Sequence, residues 1–226
     1  MPLPGNIEAV TFDVGGTLIQ PWPSVGHVYA EVAARRGHSH VQPEGLNRQF
    51  ADAWRRKKGF DHSRRAWAAV VQETFAGILD ETAVGELFSD LYDRFRKPDA
   101  WRVFDDVQPT LERLRRHPLK LGVISNWDER LRPLLAQLRL DAYFESVVVS
   151  LEAGYAKPAC EIFQQAVSRL GVPASSILHV GDSFGEDIVG AQSAGLKGLL
   201  LDRKGASPVG PSILSLNAVL DMLGIR

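Results

Sequence analysis

Two hydrophobic periods take turns along this chain, and the order in which they do so leaves few folds open. Ile7 to Phe12 reads IEAVTF, a β-branched and aromatic run that breaks into DVGGTL with two adjacent glycines. That is the pattern of a buried strand ending in a tight loop. From about Val25 to Phe95 the spacing becomes helical, in HVYAEVAARRG, LNRQFADAW, RRAWAAVVQETFAGIL and AVGELFSDLYDRF, which predicts four helices and no strand. Strands and helices then alternate. The strands are LKLGVISN, SVVVS, SILHVGD and KGLLLD; the helices are VQPTLERLRRH, ERLRPLLAQLRL, EIFQQAVSRLG, DIVGAQSAG and SLNAVLDML.

Such alternation predicts an α/β fold, a Rossmann-like parallel sheet with helices on both faces. The helical block after the first strand predicts an inserted, all-helical cap domain. The expected division is a core of residues 1–19 and 99–226 around a cap of 20–98, with Lys97, Pro98 and Asp99 as the return linker. A cap of this kind is expected to close over a site and exclude water. In open α/β sheets ligands bind beyond the carboxyl ends of the strands, so the loops there are where chemistry is sought.

With 226 residues, 45% of them hydrophobic, the chain is large enough for a full core and a second lobe. A formal net charge of -1 gives no electrostatic reason to expect nucleic acid or an anionic membrane, so a small soluble ligand is the expected partner of a monomer or homodimer. No stretch approaches the roughly 18 apolar residues that span a bilayer. MPLPGNIEAVTF lacks the basic-then-apolar pattern of a secretion signal, and Cys160 is the single cysteine, so the expected location is the cytoplasm. The six histidines show no spacing that fits one zinc site and are read as structural or exposed.

Four strand-end fragments stand out: Asp13 to Leu18 after the first strand, Ser125 and Asn126 after LGVIS, Lys157 and Pro158 before EIFQQAV, and Gly181, Asp182 and Asp187 after SILHV. Each alone has a bland explanation as a turn former, a helix cap or a surface lysine. In order and in this strand context they resemble the four motifs of the haloacid dehalogenase-like hydrolases, over essentially the whole chain, with Val10 to Leu18 and Gly181 to Asp187 the most specific pieces.

The resemblance implies that Asp13 is a nucleophile forming an aspartyl phosphate, which divides one hard displacement into two easier ones. It implies Mg²⁺ held by Asp13, the main-chain carbonyl of Gly15, and Asp182, with Asp187 as a ligand or a support for one. Ser125 and the amide of Asn126 are then expected to bind phosphoryl oxygens. Lys157 is expected to supply positive charge to nucleophile and phosphate, and Thr17 to bind phosphate or steady the loop. The expected substrate is a small phosphorylated metabolite.

The chain departs from the family's phosphatase pattern in one place. Where a second aspartate protonates the leaving alcohol and later activates water, this sequence has Gly15. Losing a general acid and base costs about two to four powers of ten in rate, so the expectation is a slow phosphatase on ordinary monoesters. Asp128 is a candidate substitute, with stabilisation of a helix N-terminus as its simpler role. A noncatalytic phosphate or metabolite sensor is the alternative. A 2-haloacid dehalogenase ranks third, because Gly15 is too small to fill the aromatic position of that branch and no arginine follows the loop before Arg35.

Overall fold

The computed structural model describes residues 6–57, 59–205 and 211–225, so the first five residues of the amino-terminal segment lie outside it. The elements run β1 (Ala9–Phe12), β2 (Ile19–Pro21), α1 (Val25–Arg35), α2 (Pro43–Arg56), α3 (Arg64–Phe75), α4 (Glu81–Arg94), β3 (Trp101–Val103), α5 (Val107–Arg115) and β4 (Lys120–Ser125). They continue with α6 (Leu131–Gln137), β5 (Ser146–Val149), α7 (Ser150–Ala153), α8 (Cys160–Leu170), β6 (Ile177–Gly181), a π-helical turn (Phe184–Val189), α9 (Gly190–Ser193), β7 (Lys197–Leu201), β8 (Ser212–Ile213) and α10 (Asn217–Met222).

Six strands form one sheet in the order β5-β4-β1-β6-β7-β8, and the pairings are parallel. The predicted α/β class is therefore correct. Every residue of β1 is buried, as a strand covered on both faces requires. Its register aligns Phe12 with Val123 of β4 on one side and Val180 of β6 on the other. The carboxyl ends of these three strands therefore lie side by side, and the residues that follow emerge together.

Compact packing divides the chain into two units. One ends at Ile19 and resumes at Val103; the other runs Gln20–Arg102. In the first, Ala9, Ile124, Val148, Ile162, Phe163 and Ile177 belong to one apolar cluster joining four strands to α8. In the second, Tyr29, Val32, Leu46, Phe75, Leu87 and Leu91 close a separate core from all four helices. Burying side chains of this size contributes about 1.5–3 kcal/mol each. Ser24, Ser63 and Asp80 cap α1, α3 and α4 by accepting backbone N–H groups three residues on, which satisfies donors the helices leave open. No helix among the described residues is long and apolar enough to cross a membrane.

The structure adds details that the periodicity does not carry. β2 and β3 pair as a two-stranded sheet on the two connections to the helical unit. The segment read as one helix from Asp187 begins instead in a π-helical turn. In that turn Ser183 accepts from the amide of Glu186, while its own N–H donates to Asp187 Oδ2 at 2.9 Å. The wider turn presents Asp187 back toward the strand ends, a known use of π turns at functional sites.

Candidate active site

The loop after β1 is folded around a single carbonyl. Val14 O accepts from the amides of Leu18 at 2.8 Å and Ile19 at 3.0 Å, while the amide of Gly16 donates to Ile19 O at 2.8 Å. Gly16 has φ +81°, and a Cβ there would fall on the carboxylate of Asp182. A Cβ at Gly181 would likewise fall on the carboxylate of Asp187. Both glycines leave out side chains so that the two acidic groups of the segment after β6 can approach the backbone. Asp13, Asp182 and Asp187 consequently converge, each with one carboxylate oxygen within 4.8 Å of the others'.

Lys157 lies among them, 1% exposed at its side chain. Its Nζ donates to Asp13 Oδ1 at 2.7 Å and also to Asp187 Oδ1. Ser125 Oγ donates to the same Asp13 Oδ1 at 2.9 Å. Among the described residues no group donates to Asp13 Oδ2, so one oxygen of this carboxylate is held and the other keeps its lone pairs. The Asn126 side chain is engaged elsewhere: its Oδ1 accepts from the amide of Lys157 at 2.7 Å, and its Nδ2 donates to Lys157 O and to Glu186. Asn126 thus fixes the backbone that carries the lysine.

The electrostatics follow from crowding. Burial raises the pKa of Asp13, and the charge of Asp187 adds to this against the opposing pull of Lys157. Asp182 is pushed up to about 7, first by desolvation and then by the charges of Asp13 and Asp187. For Asp187 burial is outweighed by Lys157 and His179, which hold it well below the usual carboxylate range. Burial opposes the charge on Lys157 too, but Asp13 and Asp187 keep it protonated. Three ionised carboxylates facing one ammonium would leave two negative charges uncompensated, an excess that adds to the desolvation raising Asp182. A hard divalent cation would balance that excess through oxygen donors alone, so the residues present fit such an ion.

Three residues near this cluster escaped the sequence reading or were left undecided by it. His179, read as structural or exposed, is fully buried on β6. Its Nε2 lies 3.1 Å from Asp187 Oδ1 and its Nδ1 3.0 Å from Thr11 Oγ1. The sequence placed it within the buried strand SILHV but gave no sign that it reaches Asp187. Asp128, the candidate acid, is 0% exposed. Its Oδ1 accepts from Arg130 N and Nε at 3.0 and 2.8 Å, and its Oδ2 from Arg130 Nη2 at 2.6 Å. With both carboxylate oxygens engaged by Arg130 and no surface exposed, Asp128 is placed as a partner of Arg130 and not as a substitute acid. Trp127, not singled out from sequence, stands against Gly15.

Thr17 is fully buried, its carbonyl accepts from Arg203 Nη2 at 2.8 Å, and its hydroxyl finds no partner among the described residues. A buried unpaired hydroxyl costs about 1–3 kcal/mol. Thr17→Val should therefore raise the melting temperature by a few degrees and leave turnover unchanged. A fall in turnover at unchanged stability would instead assign the hydroxyl to phosphate binding.

A family model described as haloacid dehalogenase-like hydrolase matches residues 7–195, a span that takes in all four strand-end fragments. The chain belongs to the haloacid dehalogenase-like hydrolases. Within that family it is similar to the haloacid dehalogenase-like hydrolase domain-containing protein 3 of Danio rerio, 37% identical over 88% of this chain and 86% of that protein. The texture of VISNWDERL, AGYAKP and HVGDSFGED points to the same subgroup. Among solved structures, a HAD phosphatase from Thermococcus onnurineus aligns with a TM-score of 0.72 and 26% identity, covering 97% of this chain and 99% of that one. The HAD-hydrolase YfnB of Bacillus subtilis, described as bound to magnesium, aligns with a TM-score of 0.80 over 98% of this chain and 100% of that one. At 17% identity that likeness speaks for the fold.

Proposed function

We propose that this chain is a Mg²⁺-dependent phosphohydrolase that acts on a small phosphorylated metabolite through an aspartyl phosphate on Asp13. The observation that carries the reading is the convergence of Asp13, Asp182 and Asp187 beside Lys157 and Ser125. Asp13, Asp182, Asp187 and the carbonyl of Gly15 are the residues that would hold the cation. Bound there, it would offset the repulsion between an anionic nucleophile and an anionic ester. The magnesium of the Bacillus subtilis relative and the phosphatase description of the Thermococcus onnurineus one agree with this. The same crowding weighs against carbon–halogen hydrolysis, which proceeds without a metal to neutralise a third carboxylate.

In this reading Ser125 and Lys157 hold Asp13 Oδ1, so that Oδ2 attacks phosphorus in line with the leaving oxygen. The new bond is Asp13 Oδ2 to phosphorus. The bond that breaks joins phosphorus to the ester oxygen, which departs with the electron pair. The amide of Asn126 and the remaining N–H of the Lys157 ammonium receive the phosphoryl oxygens as charge redistributes, while the single Ser125 proton stays on Asp13 Oδ1. Water then attacks the aspartyl phosphate and releases inorganic phosphate with Asp13 restored.

The leaving oxygen is the weak point. Gly15 supplies no acid, and Asp128 is sealed by Arg130. An alkoxide leaving group needs a proton, whereas p-nitrophenolate departs without one. Turnover of p-nitrophenyl phosphate should therefore exceed that of an alkyl phosphate by about 10²–10⁴, and EDTA should abolish both. Equal, fast turnover of the two esters would show that another group donates the proton. Absence of turnover on a broad phosphate panel, with a stable fluoroberyllate adduct on Asp13, would favour the sensor alternative.

A further inference from the structure

Gly15 has a backbone conformation open to any L residue, since its φ lies outside the left-handed region. What opposes a side chain there is one group. A Cβ built on Gly15 would lie 3.3 Å from Trp127 Cζ3, and no other non-adjacent heavy atom among the described residues comes within 4 Å of that point. A Cβ contact of that length requires the indole to shift by a few tenths of an ångström. The loop after β4 therefore crowds the volume that a side chain two residues beyond Asp13 would use.

The backbone that carries the indole is held in place. The main-chain N–H of Trp127 donates to Ser150 Oγ at 3.0 Å, and its carbonyl accepts from that hydroxyl at 3.0 Å and from the amide of Leu151 at 3.1 Å. On one side Asn126 is tied to the backbone of Lys157, and on the other Asp128 is clamped by Arg130. Both neighbours of Trp127 are thus tied down, and Trp127 itself is half-buried. A partly exposed aromatic side chain on a fixed backbone, set against Gly15, suits a planar group better than a flexible chain.

We infer that Trp127 is a specificity-determining residue: it replaces the missing acid sterically and forms an aromatic wall that selects phosphate esters with planar, weakly basic leaving groups. The inference rests on the phosphohydrolase reading for its substrate class, but its steric half does not.

The experiment is a four-protein cycle of wild type, G15D, W127A and G15D/W127A, each magnesium-loaded and assayed for thermal unfolding and for kcat/KM on an aryl and an alkyl phosphate. G15D should lower the melting temperature clearly in the wild-type background and much less in W127A. Charge repulsion from the added carboxylate is present in both backgrounds and cancels in the comparison. W127A should raise KM for the aryl ester about 3- to 10-fold and so lower the aryl-to-alkyl ratio of kcat/KM. The double variant should gain alkyl phosphate turnover of at least 10-fold over W127A. Additive melting shifts would overturn the steric claim, and an unchanged aryl KM would overturn the aromatic wall. W127L serves both readouts if W127A does not fold. Should wild type turn over no phosphate ester, the functional reading fails together with the substrate half, while the melting cycle still decides whether Trp127 bars residue 15.

Discussion

Asp13→Asn will remove on the order of 10⁴ to 10⁶ of the turnover while leaving the protein folded. The magnitude is that of deleting the nucleophile from a catalytic unit whose other members stay in place. The fold should survive because asparagine keeps the shape and one acceptor oxygen. Ser125 Oγ and Lys157 Nζ both donate to Oδ1 of the native side chain, and an amide oxygen in that position can still accept from them. What disappears is the second carboxylate oxygen, the one no described group occupies. Single-turnover assays with a phosphate ester, alongside circular dichroism, measure both halves. Residual turnover within tenfold of wild type, still sensitive to chelation, would remove Asp13 from the role of nucleophile.

Lys157→Met should cost about 3–5 kcal/mol of stability and most of the activity. Its ammonium is the only positive group bonded to both Asp13 and Asp187 in the cluster, and all three side chains are at most 10% exposed. Breaking a buried ion pair by removing one partner leaves the other charges without compensation, which is more harmful than never having had the pair. Methionine keeps much of the length of lysine, so lost packing contributes little. Denaturant unfolding with and without Mg²⁺ separates the causes. Saturating magnesium should restore part of the lost stability, because an ion that binds the folded cluster stabilises it by mass action. A variant as stable as wild type in EDTA would mean that the carboxylates do not depend on Lys157 for counter-charge.

Much of this architecture could be read from residue spacing. A short apolar strand such as IEAVTF, a helical block with its own three- and four-residue periodicity, and strands that return afterwards leave little alternative to a parallel sheet interrupted by a helical insertion. The observed elements differ mainly at their ends and in brief additions. β8 has two residues and β2 three, too short for any periodicity to register. The π-helical turn at Phe184–Val189 was invisible for a different reason. Its cause is the hydrogen bonding of Ser183 and Asp187 with each other, a matter of geometry rather than of apolar pattern.

The candidate site was legible as a set of residues and not as an arrangement. Asp13, Ser125, Lys157, Asp182 and Asp187 could be picked out because chemistry-bearing residues stood at strand ends in a familiar order. Nothing in that order fixes which oxygen of Asp13 is held, or that the Asn126 side chain serves the Lys157 backbone. His179 and Asp128 illustrate the limit from opposite directions: a histidine read as structural reaches Asp187, and a plausible acid is locked to Arg130.

The sequence by itself determined the fold class, the family and the types of residue available for catalysis, because periodicity and strand-end residues are local properties of the chain. The tertiary structure alone decided that Gly16 opens space for the Asp182 carboxylate arriving from a distant loop, and that an indole from the loop after β4 stands against the place beside Gly15. These are questions of who occupies a given volume. Their answer depends on contacts between segments more than a hundred residues apart, such as Ser125 with Asp13, which local patterning does not encode.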